Sequence, residues 1–125
     1  MPTILAYDAR FEDELIALLG RDPDWADFTK ADTLEVFKTA LSTSRTYLCA
    51  DRGCVCGYLR AVVDGFGLYV SELYVAPHAR RAGHGKALLA RIKQDHPDRP
   101  VYVLSDEDWY YEALGLTRSG SVFDL

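Results

Sequence analysis

Three consecutive stretches with extended rather than helical periodicity constrain this chain more than any other feature. Thr46 to Ala50, Cys54 to Val63 and Leu68 to Val75 are rich in β-branched and aromatic residues, and the turn signals Asp51-Arg52-Gly53 and Asp64-Gly65 separate them. Connections that short join only antiparallel neighbours. The centre of the chain is therefore expected to be an antiparallel meander, and the remaining elements must pack against it.

The flanks are mostly helical in period. Thr3 to Tyr7 reads as a first strand; Asp8 then offers an N-cap, and Phe11, Leu15, Leu18 and Leu19 form the apolar stripe of a helix ending at Gly20. Arg21 to Lys30 is acidic, carries Pro23 and Trp25, and reads as a loop or a broken turn. Asp32-x-x-Glu35 resembles a capping box for a second helix with Leu34, Phe37 and Leu41 on one face. Beyond the meander, Gly83 and Gly85 lead into a helix with Leu88, Leu89 and Ile92 apolar, ending before Pro97. Val101 to Leu104 predicts a short, fully buried strand. Trp109 to Leu114 predicts a short helix closed by Gly115, and Arg118 to Asp124 a last strand. The order β-α-α-β-β-β-α-β-α-β implies an α/β fold: a mixed, mostly antiparallel sheet of about six strands with helices on both faces.

With 125 residues, no repeat and no linker-like tract, residues 1–125 read as a single domain. No apolar run approaches the ~20 residues that cross a bilayer, and the N-terminus lacks the features of a secretory signal, so no membrane association and a cytoplasmic location are expected. Cys49, Cys54 and Cys56 cannot all pair and read as small buried residues; Cys-x-Cys without a second cluster is not zinc spacing, so no metal is expected. The net charge of −5 argues against nucleic acid as a partner. Its distribution is uneven: residues 73–94 hold five basic side chains, Arg80, Arg81, Lys86, Arg91 and Lys93, and no acidic one. Two dense acidic groups, Asp22, Asp24, Asp27 and Asp32, then Asp106, Glu107 and Asp108, lie outside it. Such a pattern suggests an anion site in a surface that attracts cations.

The basic segment runs from the end of a predicted strand, through a loop holding Gly83 and Gly85, into a helix start, where backbone N–H groups and the helix dipole favour a phosphate. Two familiar phosphate loops fail on spacing. A P-loop requires glycine at Arg80 and serine or threonine at Ala87, and a dinucleotide fingerprint requires glycine at Leu88. Arg80-x-x-Gly83-x-Gly85 instead resembles the R/Q-x-x-G-x-G/A signature of the GCN5-related N-acetyltransferase (GNAT) superfamily. Tyr110-Tyr111-Glu112-Ala113-Leu114-Gly115-Leu116 resembles its second hallmark, F-Y-E-K-L-G-F, and the element order resembles that fold from residue 3 onward.

The resemblance implies acetyl-CoA as cosubstrate. It places the pyrophosphate over Arg81, Ala82, Gly83, His84, Gly85 and Lys86, with Arg80 also among the cofactor-binding residues, and the pantetheine along Leu73, Tyr74 and Val75 on a strand splayed from its neighbour. It implies Tyr111 as general acid to the departing thiolate and Glu72 as base to the attacking amine, with Asp106 the second candidate. The cysteines lie in predicted core strands, so transfer is expected to be direct rather than through a thioester on the enzyme. Many relatives end in a two-strand hairpin, and here the seventh strand is expected to be missing or short. The open edge would invite a second copy, making a homodimer an expectation. The stretch Tyr111 to Leu125, ending Val-Phe-Asp-Leu, resembles GNAT-type aminoglycoside 3-N-acetyltransferases, which implies a small cationic amine as acceptor and an aminoglycoside as one candidate. Acetylation of a protein or peptide amine, and a CoA-binding regulatory module without turnover, are the alternatives.

Overall fold

The meander is formed as its turns require. In the computed structural model, which describes residues 2–125, β2 (Arg45–Asp51), β3 (Cys54–Val63) and β4 (Leu68–Val75) pair antiparallel in sequence order, and β1 (Thr3–Ala6) adds antiparallel to β2. After α3 (His84–Asp95) crosses one face, β5 (Val101–Val103) joins β4 in parallel, completing a five-stranded sheet of order β1-β2-β3-β4-β5. Helices α1 (Glu12–Gly20) and α2 (Leu34–Thr43) cover the opposite face, and α4 (Asp108–Ala113) follows β5.

Each face has its own core. Leu15, Leu18 and Leu19 of α1 and Phe37 and Leu41 of α2 pack on Leu48, Tyr58 and Tyr74; Leu88 and Ile92 of α3 pack on Cys49, Cys56, Leu59 and Val70. A fully buried leucine or isoleucine of this kind contributes about 1.5–3 kcal/mol. The two layers therefore hold the sheet from both sides, as the helical stripes predict.

Two irregularities distinguish β4 from its neighbours. Arg60 pairs with Glu72 while Ala61 pairs with Val70, leaving Ser71 as an extra residue in β4. Such a bulge reverses the alternation of side chains beyond it. Leu68 and Val70 face α3, and past the bulge Leu73 and Val75 do so too, so Glu72 and Tyr74 turn toward α1 and α2. The second irregularity is a splay. β5 pairs only with Leu68, Tyr69 and Val70, and the Leu104 N–H to Val70 carbonyl bond (2.9 Å) is the last along that edge.

Several expectations are corrected. The sheet has five strands among the described residues, not about six: Arg118 to Asp124 is exposed and irregular and pairs with no strand, and its Arg118 side chain donates to the Gly120 carbonyl and the Ser121 hydroxyl (2.6 Å). β5 is half-buried rather than buried, since it is an edge strand of the sheet and Tyr102 is exposed. The capping box at Asp32 and Glu35 is not made; Thr33 is the N-cap of α2, and its hydroxyl donates back to the Asp27 carbonyl (2.6 Å). Asp8 does cap, accepting from the Arg10 N–H at the 3-10 turn that leads into α1. No helix among the described residues is long and apolar enough to cross a membrane.

Candidate active site

The sequence from β4 into α3 builds a loop that ends in an uncapped helix N-terminus. A 3-10 turn at Pro77–Ala79 ends β4, Arg81 (φ 64°) and Gly83 (φ 84°) then take left-handed conformations, and α3 begins at His84. Gly83 is its N-cap and supplies no side-chain acceptor, and the first turn has no acidic residue. The first N–H groups of α3 therefore point out of the helix unsatisfied, at the positive end of its dipole. Arg81 in a left-handed conformation is an uncommon cost for a residue with a Cβ, of the sort that marks ligand loops. Arg80, Arg81, Ala82, Gly83 and Lys86 are exposed, so anion-binding N–H groups and cationic side chains share one rim, while His84 and Gly85 are buried beneath it.

The splay continues that rim into a crevice. The Ala76 N–H bonds the Cys56 carbonyl on β3, so by strand alternation Tyr74 also faces β3, and Leu73 and Val75 turn their N–H and C=O groups toward the gap on the β5 side. The Val75 carbonyl is taken by Arg80 Nε (2.8 Å), which ties the basic loop to the end of β4.

Across the crevice stands α4. Tyr110 reaches the loop: a Cβ built on Gly85 would collide with the Tyr110 hydroxyl, and Val75 lies just beyond. Tyr111 packs edge-to-face on Tyr110 with ring centroids 5.1 Å apart. Burial, helped by the charges of Asp106 and Glu107, pushes its hydroxyl up to about 12, so it keeps its proton throughout the neutral range. Asp106 is exposed in the bend after β5; it does not cap α4, whose N-cap is Glu107. Thus Leu73, Val75, the loop of residues 80–86 and Tyr110 meet around one crevice; Tyr111 packs behind them on Tyr110, and Asp106 lies close enough for its charge to be felt at Tyr111.

Glu72 sits on the other face of the sheet from the loop's core, where the bulge turned it. It is buried, and both carboxylate oxygens accept from Arg60, Oε1 from Nε and Oε2 from Nη2, each at 2.6 Å. Tyr58 adds a third donor at 3.2 Å, and burial beside that carboxylate pushes the Tyr58 hydroxyl up. Arg60 and Tyr58 escape a reading of the sequence; only the register of the β3–β4 pair, bulge included, reveals them. Farther along the same face, Tyr74 donates to Asp22 Oδ2 (3.0 Å), burial and Asp22 pushing its hydroxyl up to about 12. Leu18, Arg21, Asp22, Pro23, Tyr74 and His78 line an open hollow there. Of the acidic groups, Asp22 lies at the Tyr74 end of this face, Asp27 is paired with Lys30, and Asp106 lies beside α4.

Comparison with known proteins identifies the fold. Residues 42–117, which hold the whole loop and α4, match the family model of the acetyltransferase (GNAT) domain. Similar solved structures include a GNAT-family acetyltransferase from Streptococcus pneumoniae (23% identity, TM-score 0.75, covering 100% of this chain and 98% of the other) and one from Bacillus cereus (18%, 0.79, 100% and 89%). Aminoglycoside N-acetyltransferase AAC(6')-Iy, solved in complex with CoA, is similar at 15% identity with a TM-score of 0.79, over 100% of this chain and 93% of that one. No curated protein sequence matches the chain.

Proposed function

The chain belongs to the GNAT acetyltransferase family, and from that premise we propose that it transfers the acetyl group of acetyl-CoA directly to a primary amine of a small cationic acceptor, with aminoglycosides among the candidates. The observation that carries the proposal is the free edge of β4 running into the uncapped N-terminus of α3, with Tyr110 of α4 against the loop and Tyr111 packed on Tyr110. The exposed N–H groups and basic rim suit a pyrophosphate, and the turned-out groups of Leu73 and Val75 suit the amides of a pantetheine arm. A thioester carbonyl lying there would meet a strand N–H as its negative charge develops.

In the proposed step the amine nitrogen attacks the thioester carbon, the carbon–sulfur bond breaks, the electrons leave on the CoA sulfur, and the nitrogen's second proton, released as the amide forms, restores the Tyr111 hydroxyl through solvent. Tyr111, protonated at neutral pH, donates to that sulfur. The acceptor's ammonium, near pKa ~10 when free, must lose a proton first. Of the two candidate carboxylates, Asp106 is exposed and in no salt bridge among the described residues, whereas Glu72 is committed to Arg60 and Tyr58. We therefore assign proton removal to Asp106 and give Glu72 a positioning role, fixing Arg60 and the bulged end of β4. The exposed edge of β5, with Tyr102 and Leu104, and the apolar Val122, Phe123 and Leu125 in solvent support a homodimer.

The test is CoA release across aminoglycosides, polyamines, amino acids and peptides. Turnover on a polycationic amine supports the reading. A best acceptor that is a protein or peptide amine would replace the acceptor class, and tight acetyl-CoA binding with no turnover on any amine would favour a regulatory module.

A further inference from the structure

The fold assembles three metal-ligating side chains from elements that the sequence keeps apart. Cys49 on β2, Cys56 on β3 and His84 at the first position of α3 lie in the core beneath the basic loop, at 0%, 2% and 5% exposure. Cys49 Sγ is 3.5 Å from Cys56 Sγ, and Cys56 Sγ is 3.9 Å from His84 Nδ1; the three ligand atoms all lie within 4.8 Å of one another. Cys54, which the sequence pattern groups with Cys56, is instead exposed at the start of β3. The reason is the hairpin: a register shift at Cys49/Ala50 leaves Cys56 unmatched and turns it to the same face as Cys49.

We propose that Cys49, Cys56 and His84 form a binding site for one soft divalent d10 cation, of the zinc and cadmium class. Bonds of about 2.3 Å to sulfur and about 2.0–2.1 Å to imidazole nitrogen place the ligand atoms of such an ion roughly 3.5–4.0 Å apart, whether trigonal or tetrahedral. Two of the three separations already meet that spacing, and the third closes by a side-chain rotation of His84 or Cys49. The donor set of two sulfurs and one imidazole is the one that thiophilic ions prefer. Charge selects the valence. On binding, two S–H bonds break, two S–metal bonds and one N–metal bond form, and two protons pass to solvent; two thiolates then neutralise a divalent ion among Leu59, Leu88 and Ile92, where a net charge would be costly. A bound ion would pin α3 to the β2–β3 hairpin at the residue that opens the donor loop.

The test is titration of the reduced full-length protein with Cd²⁺ alone under anaerobic conditions, read by the ultraviolet thiolate-to-cadmium charge-transfer absorbance. It is independent of acetyl transfer. The expected result is saturation at one ion per chain, displacement by Zn²⁺, loss of the band in Cys49→Ala and Cys56→Ala, retention in Cys54→Ala, and about tenfold or more weaker binding in His84→Gln. Should the alanine variants fail to fold, the unmutated protein decides: Zn²⁺ at 100 times its Kd should raise Tm by several degrees, reversibly with a chelator. An absent band, one that survives Cys56→Ala in a folded variant or vanishes in Cys54→Ala, or an unmoved Tm would overturn the site and leave these residues as core packing.

Discussion

The two sides of the crevice are built in different ways. The donor side is contiguous in sequence: β4, the loop of residues 80–86 and the start of α3 present backbone groups whose directions follow from strand alternation, two left-handed residues and an uncapped helix. The acceptor side, as proposed, draws on side chains from scattered segments, Asp106 and Tyr111 around α4 and Glu72 on β4 held by Arg60 on β3. A backbone site is tied to glycine spacing and tolerates variation in most side chains. A side-chain site can change its acceptor by a few substitutions without disturbing the donor.

The most severe break in this comparison is expected at Gly85. Gly85→Glu places a side chain against Tyr110 and a negative charge in the anion cradle. Each charge-assisted hydrogen bond lost costs roughly 1.5–3 kcal/mol, so acetyl-CoA affinity by calorimetry should fall by about 100-fold or more. On the acceptor side, Tyr111→Phe keeps the ring and removes the proton, and kcat should fall by about 10- to 1,000-fold while acetyl-CoA affinity hardly changes. Glu72→Gln tests the positioning role. It leaves the Arg60 charge buried and unpaired, and denaturant unfolding should show a loss of about 3 kcal/mol, much of it recovered in an Arg60→Met, Glu72→Met double variant. If Glu72 were the base, the single change would instead lower kcat with stability intact.

These contrasts explain what the sequence makes legible. The meander, both helical layers and the donor loop follow from local periodicity and glycine positions. The extra residue at Ser71 does not, because a bulge depends on the partner strand, and with it goes the pairing of Glu72 with Arg60. The grouping of Cys49, Cys56 and His84 is hidden for the same reason. Arg118 to Asp124 has an extended pattern but no partner strand, and periodicity along one segment does not say whether a partner exists.

Two smaller effects sharpen the comparison. Tyr7, Tyr47, Tyr74 and Tyr111 are each raised to about 12 by burial, the first three also by carboxylates they donate to. Their protonated forms favour the folded state, so this stability is complete below pH ~10, the value of unfolded tyrosine, and declines as pH rises through about 12. Tyrosinate absorbance and circular dichroism should therefore change together between pH 10 and 12. Least in size, KM for a polycationic acceptor should rise with salt as the field of Asp22, Asp24 and Asp106 is screened over ~8–10 Å, and Asp24→Asn and Asp106→Asn should reduce that dependence.

The central claim, that the loop of residues 80–86 is a ready-made pyrophosphate cradle, is tested most directly by comparing acetyl-CoA with acetyl-pantetheine, which lacks the pyrophosphate and nucleotide, in calorimetric titrations of the unmutated protein and Arg81→Glu. Acetyl-CoA should bind the unmutated protein at least about 100-fold more tightly, and Arg81→Glu should erode that advantage while leaving acetyl-pantetheine unchanged. Equal affinity for the two donors, or an advantage indifferent to Arg81→Glu, would contradict it.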